Sequence, residues 1–358
     1  MDSRLIRTVL AYLAALSALV SCGRKGGQVC DDTSEHRSVY YWKTTFELGD
    51  KEKAFLDMHS IDRIYLRMFD VDSRDDYAAD MSRVIPVATA QFKSAKPEGI
   101  EVVPTVFITL NALRRYEDRE EELAGLITKR VLNMCSYNDL GPISEIQFDC
   151  DWTETTRGMF DRLCAEAKRI LHEKDILLSG TIRLHQVEQA EYPFDKGVLM
   201  VYNTGAIKDP ETSNSIIAND DVKKYLGVKA RVDKFLSARR NNCPIIDVAY
   251  PTFYWNVAFL SDGSFDGIIG EMDYESYPLE RMMGGSYKAK DFFYIKESKC
   301  YISKGQTIRP EYSDYREIMK VKELVESTIG AAGSNIIYHL DSRNLSKYSD
   351  NEIENILR

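Results

Sequence analysis

The chain has 358 residues, and 44% of them are hydrophobic, a proportion that supports a sizeable core without disulfide bonds. Its formal net charge is −9 at pH 7. An acidic surface excludes nucleic acid as a partner, because phosphates require clustered lysine and arginine. It equally disfavours anionic lipid and acidic polysaccharide, unless the fold creates a local basic patch.

The first residues have the three parts of an export signal. Arg4 and Arg7 supply positive charge, an apolar stretch covers Val9–Val20, and small residues lead to a cysteine. The run Leu19-Val20-Ser21-Cys22 resembles the lipobox of bacterial lipoproteins. An apolar stretch of about 12 residues is too short to cross a bilayer, which needs about 20. An ordinary secretory signal or a short core helix is the alternative interpretation.

We therefore expect a signal peptide over residues 1–21 and a lipid anchor on Cys22, which makes the membrane a partner. Residues 22–38 are polar and glycine-rich, which is typical of a flexible tether. Gly23 is not the aspartate that retains lipoproteins at the inner membrane of enteric bacteria. We expect an outer-membrane location in the cell envelope and leave the leaflet and the oligomeric state open.

No motif indicates a metal or a cofactor. The five histidines are scattered, no H-E-x-x-H occurs, and no two of the seven cysteines form a close C-x-x-C pair. No phosphate-binding glycine loop and no G-x-S-x-G elbow occurs either. We expect no metal, no cofactor and few or no disulfide bonds.

After the tether, strand-like and helix-like segments alternate, which is the signature of a parallel α/β fold. Eight strands close a barrel that side chains can fill. The sequence therefore predicts a single (β/α)8 TIM barrel over residues 39–358, with an insertion of about residues 254–310 between strands 7 and 8. The eight predicted strands are Tyr40–Phe46, Ile61–Asp70, Ile100–Thr109, Ser144–Asp151, Leu177–Leu184, Gly197–Asn203, Ile245–Tyr250 and Asn335–Asp341.

The fourth predicted strand carries two carboxylates. Its period of two puts Gln147, Asp149 and Asp151 on one face and apolar residues on the other. The apolar face suits the outer helices, so the carboxylates point into the barrel, where burial is unfavourable unless they are paired or used. They lie at the carboxyl end of the strand, where such barrels place active sites. Neutralisation by inward arginines, without any reaction, is the alternative.

Other strands direct polar side chains at the same cavity. Alternation and position at strand ends predict this for Arg67, Arg183, His185, Asp247, His339 and Asp341. Trp255 belongs to an aromatic cluster just after the seventh strand. Such rings stack on sugars at a barrel mouth, or they pack the insertion onto the barrel.

Two short motifs resemble glycoside hydrolase family 18, the chitinase-like barrels. They are Asp149-x-Asp151 on the fourth strand and Met200-x-Tyr202-Asn203 on the sixth. The family motifs are D-x-x-D-x-D-x-E, whose glutamate is the acid, and M-x-Y-D/N, whose last two residues hold the substrate N-acetyl group. The resemblance implies that Asp149 and Asp151 match the second and third aspartates, and that Tyr202 and Asn203 contact substrate.

The chain departs from that pattern at two positions. Ile146 stands where the family has its first aspartate, and Thr153 stands where it has the acid. Glu154 follows one residue later and replaces the acid only if the strand has ended or bulged. The barrel as a whole, including Ile182–Gln186, resembles an uncharacterised family of secreted bacterial barrel proteins over most of residues 40–358, which implies no established activity.

These resemblances imply a cell-envelope barrel that acts on or recognises an oligosaccharide. If it is a glycosidase, the catalytic candidates are Glu154 or Asp151 as the acid and Asp149 for charge support. A non-catalytic binding barrel, favoured by the missing glutamate, and an envelope protein that meets a partner through the insertion are the alternatives. The candidate substrate-binding residues are Arg67, Arg183, His185, Tyr202, Asn203, Asp247, Trp255, His339 and Asp341.

Overall fold

The computed structural model describes residues 36–73, 84–187, 192–202, 208, 216–217, 219–227, 246–270, 272–296, 298–330 and 332–358. The predicted signal peptide, Cys22 and Asn203 lie outside these ranges. Within them, no helix is both long and apolar enough to span a bilayer. The contacts within Ser34–Arg358 group this part of the chain as one compact unit.

Strands dominate the fold, and eight of them close a parallel barrel. The strands are β1 (Ser38–Tyr41), β2 (Thr45–Phe46), β3 (Arg63–Ser73), β4 (Val84–Val87), β5 (Gln91–Phe92), β6 (Glu101–Ile108), β7 (Glu145–Asp149), β8 (Leu177–Arg183), β9 (Lys196–Met200), β10 (Ile246–Pro251), β11 (Trp255–Phe259), β12 (Phe265–Ile269), β13 (Leu279–Arg281), β14 (Tyr287–Ala289), β15 (Phe293–Ile295), β16 (Cys300–Ile302), β17 (Thr307–Glu311) and β18 (Asn335–Tyr338).

The barrel closes because β1 pairs in parallel with both β18 and β3. The order around the ring is β1, β18, β10, β9, β8, β7, β6 and β3, with β4 added to β3 from outside in antiparallel orientation. The predicted (β/α)8 barrel is thus confirmed.

Helices surround the ring. They are α1 (Asp50–Met58), α2 (Leu110–Arg115), α3 (Glu120–Tyr137), α4 (Arg157–His172), α5 (Asn219–Leu226), α6 (Tyr315–Ile329), α7 (Ser342–Leu345) and α8 (Asp350–Leu357). In α4, Phe160, Leu163 and Leu171 recur at helical spacing and are fully buried in the core between helices and sheet. Ser349 and Glu352 form a capping box at the start of α8, which fixes where this last helix begins.

Strand residues alternate between the outer core and the barrel interior. Ile64, Phe148 and Ile182 point outward into the large core beneath the helices. The interior has a small apolar layer of its own, made by Tyr40, Tyr65, Val103, Val198, Met200, Ala249 and Ile336. This layer separates the amino-terminal end of the barrel from its carboxyl-terminal mouth.

The insertion forms a small sheet of its own between β10 and α6. Its five antiparallel strands run in the order β12, β11, β17, β14 and β13, and β15 and β16 form a separate hairpin. Ala258, Ile295 and Ile308 lie in the core of the insertion. The first strand of the insertion begins at Trp255 and the last one ends at Glu311.

Candidate functional site

One arginine gathers the two predicted carboxylates at the barrel mouth. Arg183 ends β8 and Asp149 ends β7, and the two strands are neighbours in the ring. Arg183 Nη2 donates to Asp149 Oδ1 at 2.9 Å, Nε donates to Asp151 Oδ1, and Nη1 donates to the Tyr202 hydroxyl. Thr181 Oγ1 also donates to Asp149 Oδ1, at 2.5 Å. We call these five residues the Arg183 cluster.

The two carboxylates of the cluster differ in environment. The Asp149 side chain is 4% exposed, whereas that of Asp151 is 47% exposed at the rim. Burial is the main reason that the pKa of Asp149 is raised; the Arg183 guanidinium opposes the shift and the charge of Asp151 adds to it. Asp149 is therefore an inner group and Asp151 an outer one that a ligand in solvent can reach.

The backbone around the cluster is held by side chains. Gln186 Oε1 accepts from the Arg183 backbone N–H at 2.9 Å, and its Nε2 donates to the carbonyl of Trp152 at 2.9 Å. Trp152 is buried and stacks on Phe160 of α4, with ring centroids 6.2 Å apart. These contacts tie the end of β7 to the end of β8. His185 is exposed beside them, with Nε2 at 3.4 Å from the Trp152 carbonyl.

At Thr153, the position that corresponds to the family-18 acid, β7 has already ended. β7 ends at Asp149, and residues 154–156 form a turn that leads into α4. The Thr153 backbone N–H donates to Thr156 Oγ1 at 3.0 Å, and Glu154 is exposed. The strand has thus ended before Glu154, which is the condition the sequence set for this residue. Among the described residues, Glu154 makes no hydrogen bond to the Arg183 cluster.

Aromatic rings line the mouth beside the cluster. The centroid of the Tyr338 ring lies 5.6 Å from that of Tyr202, 5.2 Å from that of Tyr40 and 5.8 Å from that of Trp42. The Tyr40 hydroxyl donates to Gln147 Oε1 at 2.8 Å inside the barrel. Sequence reasoning missed Tyr40, Trp42 and Tyr338, although the alternation along the predicted first strand, Tyr40–Phe46, was a usable signal for the first two.

A cavity of about 570 Å³ adjoins this mouth on the side of the insertion. Phe253 connects the two, with its ring 6.2 Å from Tyr202 and 4.7 Å from Trp255. Trp255 lines the cavity, and its Nε1 donates to Glu311 Oε2 at 2.6 Å. The other lining residues include two stacked tyrosine pairs and two cations: Tyr274 with Tyr287, Tyr254 with Tyr312, Arg281 and Lys347.

The sequence predicted that Arg67 points into the same cavity as Asp149 and Asp151, and the structure pairs it with Asp70. A bulge between Arg67 and Phe69 brings Asp70 to the same face of β3. Arg67 Nε donates to Asp70 Oδ1 at 2.8 Å, Nη2 donates to Asp70 Oδ2, and the guanidinium lies 5.4 Å from the Trp42 ring centroid. Arg67 therefore lies at the mouth, where it contacts Asp70 and Trp42.

Asp247 lies at the other end of the barrel. It is the second residue of β10, so its side chain meets the amino ends of the strands, where Tyr65 OH approaches its Oδ2 at 3.5 Å. Lys196 and Glu145, joined by a bond of 3.2 Å, are buried nearby. Burial raises the pKa of Asp247 to about 6, against the attraction of Lys196. The expected position in a shared cavity with Asp149 is therefore corrected.

His339 and Asp341 follow β18 but face different surroundings. Asp341 caps α7 by accepting the backbone N–H of Arg343 at 3.0 Å, and Lys43 Nζ lies 2.8 Å from its Oδ2. Burial acts to raise the pKa of Asp341, yet the bond and charge of Lys43 lower it overall. Burial lowers the pKa of His339 to about 4, so its imidazole is neutral at pH 7. Its ring lies 6.5 Å from that of Phe253.

The structure thus brings together Asp149, Asp151, Arg183 and Tyr202 and leaves the other predicted residues around or away from them. Within the described ranges, no three His, Cys, Asp or Glu residues are placed to hold a metal ion. The four cysteines in those ranges, Cys135, Cys150, Cys164 and Cys300, are free thiols. Burial raises the pKa of Cys150 and Cys164 well above the ordinary value, so both behave as small apolar core residues.

Comparison with known proteins gives likeness in structure only. No protein-family profile matches the chain, and no curated protein matches its sequence. Among solved structures, a chitinase from Chromobacterium violaceum is similar at 11% identity and a TM-score of 0.48, over 86% of this chain and 95% of that one. A spore cortex-lytic enzyme from Bacillus megaterium is similar at 12% identity and a TM-score of 0.48, over 90% and 74%.

A family 18 N-acetylglucosaminidase from Paenibacillus barengoltzii is also similar, at 12% identity and a TM-score of 0.43, over 88% of this chain and 99% of that one.

Proposed function

We propose that this protein binds an oligosaccharide at the carboxyl-terminal mouth of its barrel, at the bacterial outer membrane, where a lipid on Cys22 anchors it. We further propose that the site recognises the sugar without cleaving it. One observation carries the proposal: Arg183 engages both candidate carboxylates at once, and a threonine stands at the position of the family acid.

The mouth offers the two kinds of surface that sugar recognition requires. Rings of Trp42, Tyr202 and Tyr338 provide apolar faces, while Asp151 and Arg183 provide oriented polar groups. The adjoining cavity of about 570 Å³ has the size of an ordinary small-ligand site. The buried Phe253 lies between the mouth and the cavity, and we place the oligosaccharide at the mouth, extending from the Arg183 cluster towards the insertion.

The same geometry argues against hydrolysis by the cluster itself. A glycosidase acid must donate a proton to the glycosidic oxygen as the bond breaks. Asp151 Oδ1 instead accepts an N–H from Arg183, and Asp149 is buried beneath it. Neither carboxyl is arranged as a proton donor to a ligand at the mouth, so we assign them to ligand binding and to orientation of Arg183.

Hydrolysis is the second candidate function, and one observation favours it. In a regular strand, alternation would point the Glu154 side chain away from the barrel interior. β7 ends before Glu154, so this constraint does not apply to it. Glu154 is exposed in the turn that follows the strand bearing Asp149. In this alternative Glu154 is the acid, and Asp149 or Asp151 stabilises the positive charge of the transition state.

The test compares binding and product formation on one set of variants. Residues 34–358 are incubated with a panel of bacterial and host glycans; thermal stabilisation reports binding, and mass spectrometry reports products. The variants are Asp151→Asn, Tyr202→Phe and Glu154→Gln, with Glu173→Gln as a control because its exposed carboxylate lies beyond the far end of α4.

We expect a glycan that stabilises the wild type and the Glu173 control without yielding products. Asp151→Asn and Tyr202→Phe should weaken its binding by about tenfold, the effect of one lost hydrogen bond to a ligand. Products from the wild type that disappear with Glu154→Gln would establish hydrolysis instead. Neither binding nor products across the panel, from protein shown to be folded, would overturn both functions.

A further inference from the structure

We propose that the outer face of the hairpin β15–β16 is a docking surface for an anionic phospholipid bilayer. This hairpin face consists of Lys290, Phe292, Tyr294, Lys296 and Tyr301, all of them exposed. It belongs to the insertion and contains none of the residues assigned to sugar binding, so the inference is independent of the proposed function.

The aromatic residues of the hairpin face are exposed because of the strand alternation. Phe293, Ile295 and Ile302 turn inward and are buried in the core of the insertion. Their neighbours turn outward: Phe292 is 60% exposed, and Tyr301 is 64% exposed. Three large rings that the domain leaves in water form a patch of the kind that marks an interaction surface.

The chain segment around the rings has a positive net charge, whereas the chain as a whole is negative. The segment from Tyr287 to Gln306 holds five lysines and two acidic residues, whereas the full chain carries −9. All five of these lysines are exposed, and among the described residues none of them forms an ion pair: Lys288, Lys290, Lys296, Lys299 and Lys304. Lys288 lies opposite Glu280 across β13 and β14, so the positive charge beside the rings comes from Lys290 and Lys296, and it is complementary to an anionic partner.

The mixture of rings and lysines favours a bilayer over a glycan or a protein groove. Phe292 stacks on Tyr301 at a centroid distance of 5.4 Å and an angle of 16°, and Tyr294 lies 4.8 Å from Tyr301. Because the rings contact one another, their faces are partly covered and their edges point to solvent. Exposed edges suit insertion among lipid headgroups, whereas stacking on a sugar needs a free ring face. Lysines beside interfacial aromatics reach the lipid phosphates while their stems stay in the apolar layer.

The experiment is co-sedimentation of residues 34–358, which carry no acyl chain, with vesicles of phosphatidylcholine alone or with 30 mol% phosphatidylglycerol. Two double variants are compared: Phe292→Ala with Tyr301→Ala, and Lys290→Gln with Lys296→Gln. Tyr137→Ala is the matched control, since Tyr137 is 90% exposed at the end of α3.

We expect binding to the phosphatidylglycerol vesicles that falls with added salt and is weak on phosphatidylcholine. The lysine pair should lower the partition coefficient roughly 30-fold, and the aromatic pair about tenfold. Tyr137→Ala should bind as the wild type does. Equal binding to both vesicle types, no binding by the folded wild type, or binding unchanged by both double variants would each overturn the proposal, whatever the outcome with glycans.

Discussion

At the scale of single residues, Arg183 decides the character of the site. It is buried, and it holds Asp149, Asp151 and the Tyr202 hydroxyl with three different nitrogen atoms. A buried carboxylate that loses such a partner keeps an uncompensated charge. This unpaired charge destabilises the fold by more than the intact ion pair stabilised it. Arg183 therefore contributes to stability as well as to the proposed binding of sugar.

We predict that Arg183→Gln lowers the free energy of unfolding by about 3–5 kcal/mol at pH 7. This loss of stability should be smaller at pH 4 than at pH 7, because Asp149 becomes protonated as pH falls. Without the guanidinium the pKa of Asp149 rises further, and a carboxyl whose pKa is raised on folding destabilises the protein as pH increases. Urea denaturation at the two pH values measures this difference.

Arg343→Gln is the control, because this side chain is 71% exposed and lies 4.0 Å from its carboxylate partner. Its effect should be small and nearly the same at both pH values. A defect in Arg183→Gln of equal size at pH 7 and pH 4 would contradict the role given to Asp149.

Residue by residue, the sequence predicted directions better than partners. Alternation along β7 placed Gln147 and Asp149 inside the barrel, and both are buried there. The pairing of Arg67 with Asp70 was hidden, because it depends on a bulge that shifts the alternation by one residue. Bulges leave no mark in the pattern of apolar residues until the neighbouring strand is known.

At the scale of elements, β8 and β9 pack closely against Phe194 because they carry glycines at facing positions. Gly180 pairs with Gly197 across the two strands. The Phe194 ring fills the space where a Cβ on Gly180 would stand, and Ile182 lies where one on Gly197 would stand. The missing side chain of Gly180 thus leaves room for the Phe194 ring against β8, the strand that ends at Arg183.

We predict that Gly180→Ala lowers the free energy of unfolding by about 1–3 kcal/mol, because Phe194 must move out of a close-packed layer. Gly267→Ala in β12 is the matched control, since a Cβ there meets nothing within 4 Å. It should change stability by less than about 0.5 kcal/mol. Thermal and urea denaturation of both variants give the comparison; similar losses in the two would contradict the packing argument.

Element boundaries were predicted unevenly. The predicted first strand, Tyr40–Phe46, is divided into β1 and the two-residue β2, because the chain leaves the ring after Tyr41 to pair β2 with β5. The added strand β4 was not foreseen. Both features use hydrogen bonds to segments that are distant in sequence, and local periodicity carries no information about such bonds.

At the scale of the whole molecule, two buried groups bias stability in opposite directions as pH changes. The pKa of Asp247 is raised from 3.8 to about 6, so its contribution is lost as pH rises from 4 to 6. The pKa of His339 is lowered from 6.5 to about 4, so its contribution is lost as pH falls over nearly the same range. Each effect is about 3 kcal/mol in order of magnitude.

We predict that single variants separate the two effects. Asp247→Asn should make stability increase more steeply from pH 4 to pH 6 than in the wild type, because the loss with rising pH is removed. His339→Phe should make stability increase less steeply from pH 4 to pH 6 than in the wild type, because the loss with falling pH is removed. Free energies of unfolding from urea titrations at pH 4, 5 and 6 measure both slopes, and parallel curves for the two variants would disprove the assignment.

The barrel as a whole was the most predictable feature, since eight strand-like runs separated by helical ones allow few other folds. The basic hairpin was not predictable from overall charge, which pointed the other way. Only the structure shows that Lys290 and Lys296 share one face with the exposed rings.

The closure of the ring through β1 has a consequence for folding order. Ser38 pairs with Ile336, and the His36 backbone N–H donates to Ser334 Oγ at 3.1 Å across 298 positions of chain. Contacts of such sequence separation form late and slowly, because the intervening loop must first be closed. The barrel thus stays an open, unsealed sheet until its last strand exists. A chain that stops short of β18 lacks the seam and exposes the edges of β1 and β10.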